Sequence, residues 1–193
     1  RQANAEIKEL FGATIFDTPK PTKLVRRVLS LIADTDAIVL DFFAGSGSTA
    51  DAVIQQNAED GGNRKFILVQ LPEPCEPHTE AAKSDLTTIA EIAKERIRRA
   101  GARLSEKGTA SGSLDAGFRV LKVDATNMTD VLRSAESSDQ LTLEALSSSV
   151  RPDRSGEDLL FQVLLASGLE LTMPIKKETV DGFEVYDVEE GAL

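Results

Sequence analysis

The feature that most constrains the fold is Ile38-Val39-Leu40-Asp41-Phe42, a short apolar, β-branched run that passes at once into a glycine turn around Gly45 and Gly47. Such a run reads as a buried parallel strand. Ser48-Thr49-Ala50-Asp51-Ala52-Val53-Ile54 then reads as a helix, and Gly61-Gly62-Asn63 breaks it. Lys65-Phe66-Ile67-Leu68-Val69-Gln70-Leu71 is a second buried strand. Strand, turn, helix and strand in about 35 residues form a βαβ unit, the building block of doubly wound α/β sheets.

The flanks fit such a sheet. Upstream, positions 24, 25, 28, 29, 31 and 32 of the segment 21–32 put an apolar face on a helix. Downstream, Pro72, Pro74 and Pro77 mark a stiff loop, after which Ser84 is expected to cap a helix carrying Leu86, Ile89, Ala90, Ala93 and Ile97 on one side. Arg96, Arg98, Arg99 and Gly101 suit the end of that helix. The stretch 108–113, Gly108-Thr109-Ala110-Ser111-Gly112-Ser113, is the best linker candidate. It divides a domain at 1–107 from a smaller α+β region at 114–193. In that region Phe118–Val123 alternates like a strand with one wet face, and the Ser-rich stretch 134–149 has no clear pattern. Ser155 and Asp158 form a capping-box variant before Leu159, Leu160, Val163 and Leu164, and residues 179–186 read as a hairpin around Asp181-Gly182.

Composition narrows the class. With 193 residues and 41% hydrophobic content, the chain can build one medium domain plus an appendage. Its single cysteine, Cys75, excludes an internal disulfide. No apolar run approaches the ~20 residues of a bilayer span, and the start lacks a signal-peptide core. A soluble, cytoplasmic protein is expected. The net charge of −10 argues against this piece alone gripping a phosphate backbone. That charge sits mainly in residues 111–193, which hold 7 cationic against 16 anionic side chains, whereas residues 1–110 hold 15 against 16. Nucleic-acid contact belongs to the front part, where Lys94, Arg96, Arg98, Arg99 and Arg103 read first as a solvated helix end and second as a phosphate or partner contact.

The glycine turn also satisfies the loose dinucleotide pattern, with Gly45, Gly47 and Ala50 at the small positions. Asp41 just before it would repel a pyrophosphate but attract the cationic amino group of a methionine moiety. The next strand ends at Gln70, where a ribose-gripping acid would be needed for a nicotinamide cofactor; Glu73 follows three residues on. The oxidoreductase reading therefore fits less well. His78 and Cys75 share a proline loop with no further ligand nearby, so no metal site is expected. Cys75 has no paired base in sequence reach.

At these residues the chain resembles a known family. Asp41-Phe42-Phe43-Ala44-Gly45-Ser46-Gly47-Ser48-Thr49-Ala50 resembles the cofactor motif of amino-methylating DNA methyltransferases, and Phe16-Asp17-Thr18-Pro19-Lys20-Pro21 resembles the motif preceding it in the permuted, beta class. With Gly61–Glu73, Ile89–Arg99 and Glu157–Leu169, nearly the whole chain is similar to the C-terminal part of the modification subunit of type III restriction-modification systems, which methylates adenine at N6. The resemblance implies a Rossmann-like sheet and S-adenosyl-L-methionine as cofactor. It places Phe43, Gly45 and Gly47 around the methionine end, with Asp41 at the floor and Phe42 and Thr49 in the same motif. Asp17, Lys20 and Pro21 would line the other wall, and Gln70, or Glu73 in its place, would meet the ribose or adenine. It further implies duplex DNA as a partner of the complete protein, a restriction subunit, a homodimer of the full-length subunit and a prokaryotic cytoplasm.

The family holds its flipped adenine with Asp-Pro-Pro-Tyr. Here no two of the seven prolines are adjacent and the only tyrosine is Tyr186. No catalytic residue is therefore assigned, and the chain is expected to be a C-terminal fragment that is inactive alone. An assembly module, docking a restriction or second methyltransferase subunit through the acidic region, is the alternative.

Overall fold

The computed structural model describes residues 2–106, 114–129, 150–189 and 191. The predicted linker and the Ser-rich stretch lie outside the described residues. The chain forms two compact units that divide after Phe118. In chain order the first holds α1 (Gln2–Phe11), α2 (Thr22–Ile32), β1 (Ile38–Asp41), α3 (Ser48–Asp60), β2 (Lys65–Leu68), α4 (Glu80–Lys83) and α5 (Ile89–Glu106). The second holds α6 (Gly156–Ala166), β3 (Ile175–Val180) and β4 (Phe183–Val188). The architecture is mixed α/β.

The βαβ unit forms as its sequence requires. β1 and β2 pair in parallel, Ile38 opposite Lys65 through Asp41 opposite Leu68, with α3 as the crossover. Strand alternation turns Val39, Asp41, Phe66 and Leu68 to one side, where they are half-buried, and Ile38, Leu40, Lys65 and Ile67 to the other. α3 lies on the first side and is buried along most of its length, from Ser48 to Ile54 and again at Gln56 and Asn57. Val25 and Leu29 of α2 pack with Ala52, Val53, Val39 and Phe66. Ile97 of α5 packs with Ala50, Ile54, Phe66 and Leu68. The apolar runs predict strands buried on both faces; the opposite face is instead open, with Ile38 at 65% and Ile67 at 51% exposure.

Other expectations are corrected. Ser84 does not cap the long helix: it closes α4, and the α5 cap is Thr88, whose hydroxyl accepts from the Glu91 amide at 3.2 Å. Leu86 packs instead on a cluster of Ile7, Ile15, Ala81 and Ile92. That cluster also seats α1, a helix that the sequence pattern does not announce. Arg99 of α5 stacks on Phe11 at 4.6 Å and donates to the Leu10 carbonyl at 3.2 Å. Phe118–Val123 forms no strand; within the second unit Arg119 donates to the carbonyls of Leu171 and Met173, and Val123 is fully exposed.

In the second unit the capping box is present. The Ser155 hydroxyl accepts from the Asp158 amide at 3.2 Å and the Asp158 carboxylate accepts from the Ser155 amide at 2.8 Å. β3 and β4 pair antiparallel, with Val180 opposite Phe183 around Asp181-Gly182. Both turn residues have positive φ, 51° and 85°, as a two-residue type I′ hairpin demands. Leu160, Leu164 and Val188 form this unit's core.

The passage from α3 to β2 is latched by Arg64. Its guanidinium grips both Asp60 oxygens at 3.0 Å, while its backbone N–H and C=O bond the Asn57 side-chain amide. The Arg64 hydrogen bond holds the Asp60 carboxyl down at about 2. A depressed carboxyl stabilises the fold above its unfolded pKa, and that stability is lost as pH falls through the folded value. Asp60→Asn is therefore expected to lower urea-unfolding stability at pH 7, with the gap to wild type closing between about pH 4 and pH 2. A gap that stays constant over that range would show that the pair contributes nothing.

Candidate functional site

Where β1 ends, the chain must leave a strand and enter α3 within a few residues. Gly45 (φ 54°) and Gly47 (φ 76°) supply the left-handed backbone for this turn. The Gly47 amide donates to the Ala44 carbonyl at 2.9 Å, and the Ala44 amide reaches back to Val69 at 3.2 Å, so the turn is tied to the end of β2. A side chain at Gly47 would meet the backbone of Ala93 in α5, with the carbonyl oxygen at 3.1 Å and Cα at 3.2 Å. A methyl group there would have to push the α5 backbone aside by a few tenths of an ångström.

Asp41 is the acceptor around which the site is built. Its Oδ2 accepts from the Thr49 hydroxyl at 2.6 Å and from Lys20 Nζ at 3.2 Å, and its Oδ1 accepts from the Phe43 amide at 3.0 Å. Partial burial pushes this carboxyl up; the Thr49 hydroxyl, the Phe43 amide and the Lys20 ammonium outweigh that and hold it below the usual carboxylate range. The group is a preformed anion with one exposed cation resting on it. Lys20 Nζ also lies 3.4 Å from the Phe43 carbonyl.

The motif at 16–21 and the glycine turn are 20 residues or more apart in sequence, yet they meet. The Phe16 ring closes on Gly45, where an added Cβ would stand 3.6 Å from it. Lys20 reaches Asp41 as above, and Pro21 caps α2 with its carbonyl accepting from the Leu24 and Val25 amides at 3.0 and 3.3 Å. Asp17 is exposed at the start of this segment. Gln70 sits at the end of β2, but its Oε1 accepts from the Gly45 amide at 2.7 Å and its Nε2 donates to the Leu71 carbonyl at 3.1 Å. The side chain thus braces the turn. Glu73 is exposed nearby, and Phe42 and Phe43 stand 64% and 83% exposed, free to cover a ligand. The site is a shelf. Two cavities among the described residues, of about 360 and 350 Å³, lie elsewhere, beside Arg26, Gln55 and neighbouring residues.

One residue that the sequence pattern groups with a solvated basic run belongs to the inner wall of this site. Arg96 is 1% exposed and lies under the turn, with Nη1 3.0 Å from Ser46 Oγ and 2.8 Å from Ser48 Oγ. The rest of the run is paired too. Arg98 and Arg99 face Glu95, Lys94 faces Glu91 and Arg103 faces Glu9. Cys75, packed at the edge of the α1 cluster, has its thiol pushed up by burial. Among the described residues no group of His, Cys, Asp and Glu is arranged to hold a metal ion, and no helix is long and apolar enough to cross a membrane.

Residues 1–100, which include the glycine turn, the 16–21 segment and Arg96, match the DNA methylase family. The chain belongs to that family. It is 46% identical over 119 residues to the Mod subunit of the type III restriction-modification enzyme StyLTI of Salmonella typhimurium, covering 62% of this chain and 18% of that subunit. It is 34% identical over 191 residues to the EcoP15I Mod subunit of Escherichia coli, covering 96% and 27%. It is also 41% identical over 96 residues to the type II methyltransferase M.KpnI of Klebsiella pneumoniae, covering 50% and 23%. The chain thus spans less than a third of the length of the curated relatives it matches. The likeness to type III modification subunits read from the motifs is borne out.

The close seat of Gly47 gives a direct check. Gly47→Ala must adopt a left-handed backbone and push a methyl into backbone atoms of α5, which together cost about 2–4 kcal/mol. Urea unfolding should show that loss; a change under about 0.5 kcal/mol would mean the turn is looser than described.

Proposed function

We propose that this chain supplies the S-adenosylmethionine shelf of a type III DNA adenine-N6 methyltransferase. The observation that carries the reading is the Asp41–Lys20 pair at the mouth of a glycine turn. The methionine end of the cofactor is a zwitterion, and this donor set is its complement: Asp41 would take the ammonium, and Lys20, released from Asp41, would take the carboxylate. Gly45 and Gly47 leave room for close backbone approach, and Phe42 and Phe43 would lie over the apolar parts. Gln70 would keep the turn in shape, leaving the ribose to Glu73 or to the remaining Gln70 valence. Asp17 and Pro21 would form the outer wall. When bound, the cofactor supplies an electrophilic methyl group on a sulfonium centre.

The base pocket, in this reading, lies on polypeptide outside the present sequence, as does the surface that reads duplex DNA. Two observations support it. The chain has no Asp-Pro-Pro-Tyr. The sheet also leaves Ile38, Leu40, Ile67, Val69 and Leu71 at least 48% exposed, an apolar face that a parallel sheet ordinarily covers. The remainder of a Rossmann-like methyltransferase sheet, with its helices, would cover that face. The second unit would serve assembly with a restriction subunit or a second modification subunit; its separate core and its acidic character support that role.

Titration calorimetry on the purified chain tests the cofactor reading. S-adenosylmethionine is expected to bind with an affinity that is flat from about pH 5 to pH 7, because Asp41 and the cofactor's ammonium both stay charged there, and to weaken above about pH 8 as the ammonium loses its proton. Asp41→Asn is expected to weaken binding about tenfold or more. NAD should give no heat, and labelled methyl should not pass to DNA from this chain alone. Binding of NAD with no response to S-adenosylmethionine would overturn the reading.

A further inference from the structure

We propose that Arg96 is a positioning residue of the glycine turn: its buried guanidinium holds Ser46 and Ser48 from below and so fixes the backbone that the cofactor meets. A guanidinium this deeply buried is tolerated only when its donors are met. Nε donates to Asp51 at 2.9 Å and Nη2 to the Thr22 hydroxyl at 2.8 Å; Glu6, 4.0 Å from Nη2, is itself bound to the Thr22 amide at 2.9 Å. Asp51 alone would balance the charge. Both Nη1 hydrogens go instead to two neutral hydroxyls on either side of Gly47, the residue with φ 76°.

Ser46 and Ser48 are each 2% exposed, and their hydroxyls meet Arg96 in the interior and not the shelf. Ala93, one helical turn before Arg96, closes on Gly47 from the same helix. Gln70 holds the Gly45 amide from the other side. The turn is therefore clamped on its inner surface by α5 and at its rim by Gln70, two residues past the end of β2. A site built this way meets its ligand without reorganising, which raises affinity by lowering the ordering cost. Lysine cannot replace this fork, because one compact ammonium cannot span both serine oxygens while pairing with Asp51.

The test compares wild type, Arg96→Lys and the double variant Ser46→Ala/Ser48→Ala in the full chain. The double variant keeps Arg96 with Asp51 and Thr22, so it decides the matter if the lysine variant does not fold. Amide hydrogen exchange is read at Ala44, Gly45, Gly47 and Asp51, whose N–H groups bond within the turn or to its ends. Exchange there is expected to rise about tenfold or more, with amides of α1 and of the β3–β4 hairpin unchanged. A uniform rise across residues 2–106, or no rise, would make Arg96 an ordinary core ion pair and overturn the proposal. A second arm, which rests on the cofactor reading, is S-adenosylmethionine affinity; it should fall about tenfold in both variants. If wild type binds no S-adenosylmethionine, the cofactor reading fails and the exchange arm still decides the role of Arg96.

Discussion

Between Asp41 and Ser48 the backbone turns from a parallel strand into a buried helix, through two left-handed glycines seated over a buried guanidinium. Most of the first unit follows from that geometry. The turn brings α3 onto the half-buried face of β1 and β2. α5 must then lie close enough for Ala93 to touch Gly47, and α2 must start where Thr22 can reach both Arg96 and Asp51, 2.8 and 3.4 Å away. Asp41 is left at the end of β1, held ionised by the Thr49 hydroxyl, the Phe43 amide and the Lys20 ammonium.

The parts of this fold that are legible in the sequence are those set by local pattern. Two apolar runs separated by a glycine turn and a helical segment point to a βαβ unit, because each run is too short for a helix of its own and sits at the spacing of a crossover. Asp181-Gly182 dictates a hairpin, and Ser155 with Asp158 dictates a helix start, through hydrogen bonds two or three residues long. The misses share one cause. The role of Arg96 depends on partners 45 to 74 residues away, which no window of sequence contains. Within its own helix it is one of several regularly spaced cations, and nothing local separates it from exposed Arg98. The alternation in Phe118–Val123 is genuine, but a strand needs a partner edge, and Arg119 is held by the 171–173 carbonyls instead. The cap read at Ser84 falls short by four residues: Pro74 is bridged to Thr88, and α5 starts just after it. α1 escapes the pattern because its helical face is short and only Ala3 and Ile7 are buried.

The candidate site shows the same division. The acid before the turn and the glycines are legible from the chain's own chemistry, whereas the Lys20 segment enters through its resemblance to the family motif. Their meeting at 3.2 Å is a tertiary fact. Gln70, or Glu73 in its place, is expected to meet the ribose or adenine; in the structure the Gln70 amide also accepts from Gly45 and donates to the Leu71 carbonyl, so it braces the turn. Membership of the DNA methylase family accords with the proposed cofactor site.

The most direct measurement is an amide chemical-shift map of the isotope-labelled chain with and without S-adenosylmethionine. Binding at the turn predicts shifts concentrated at Asp41 through Thr49, at Lys20 and at Gln70, with the amides of α6 and the β3–β4 hairpin unmoved. Shifts confined to residues 150–189, or none at saturating cofactor, would contradict a cofactor site built on Asp41 and its glycines.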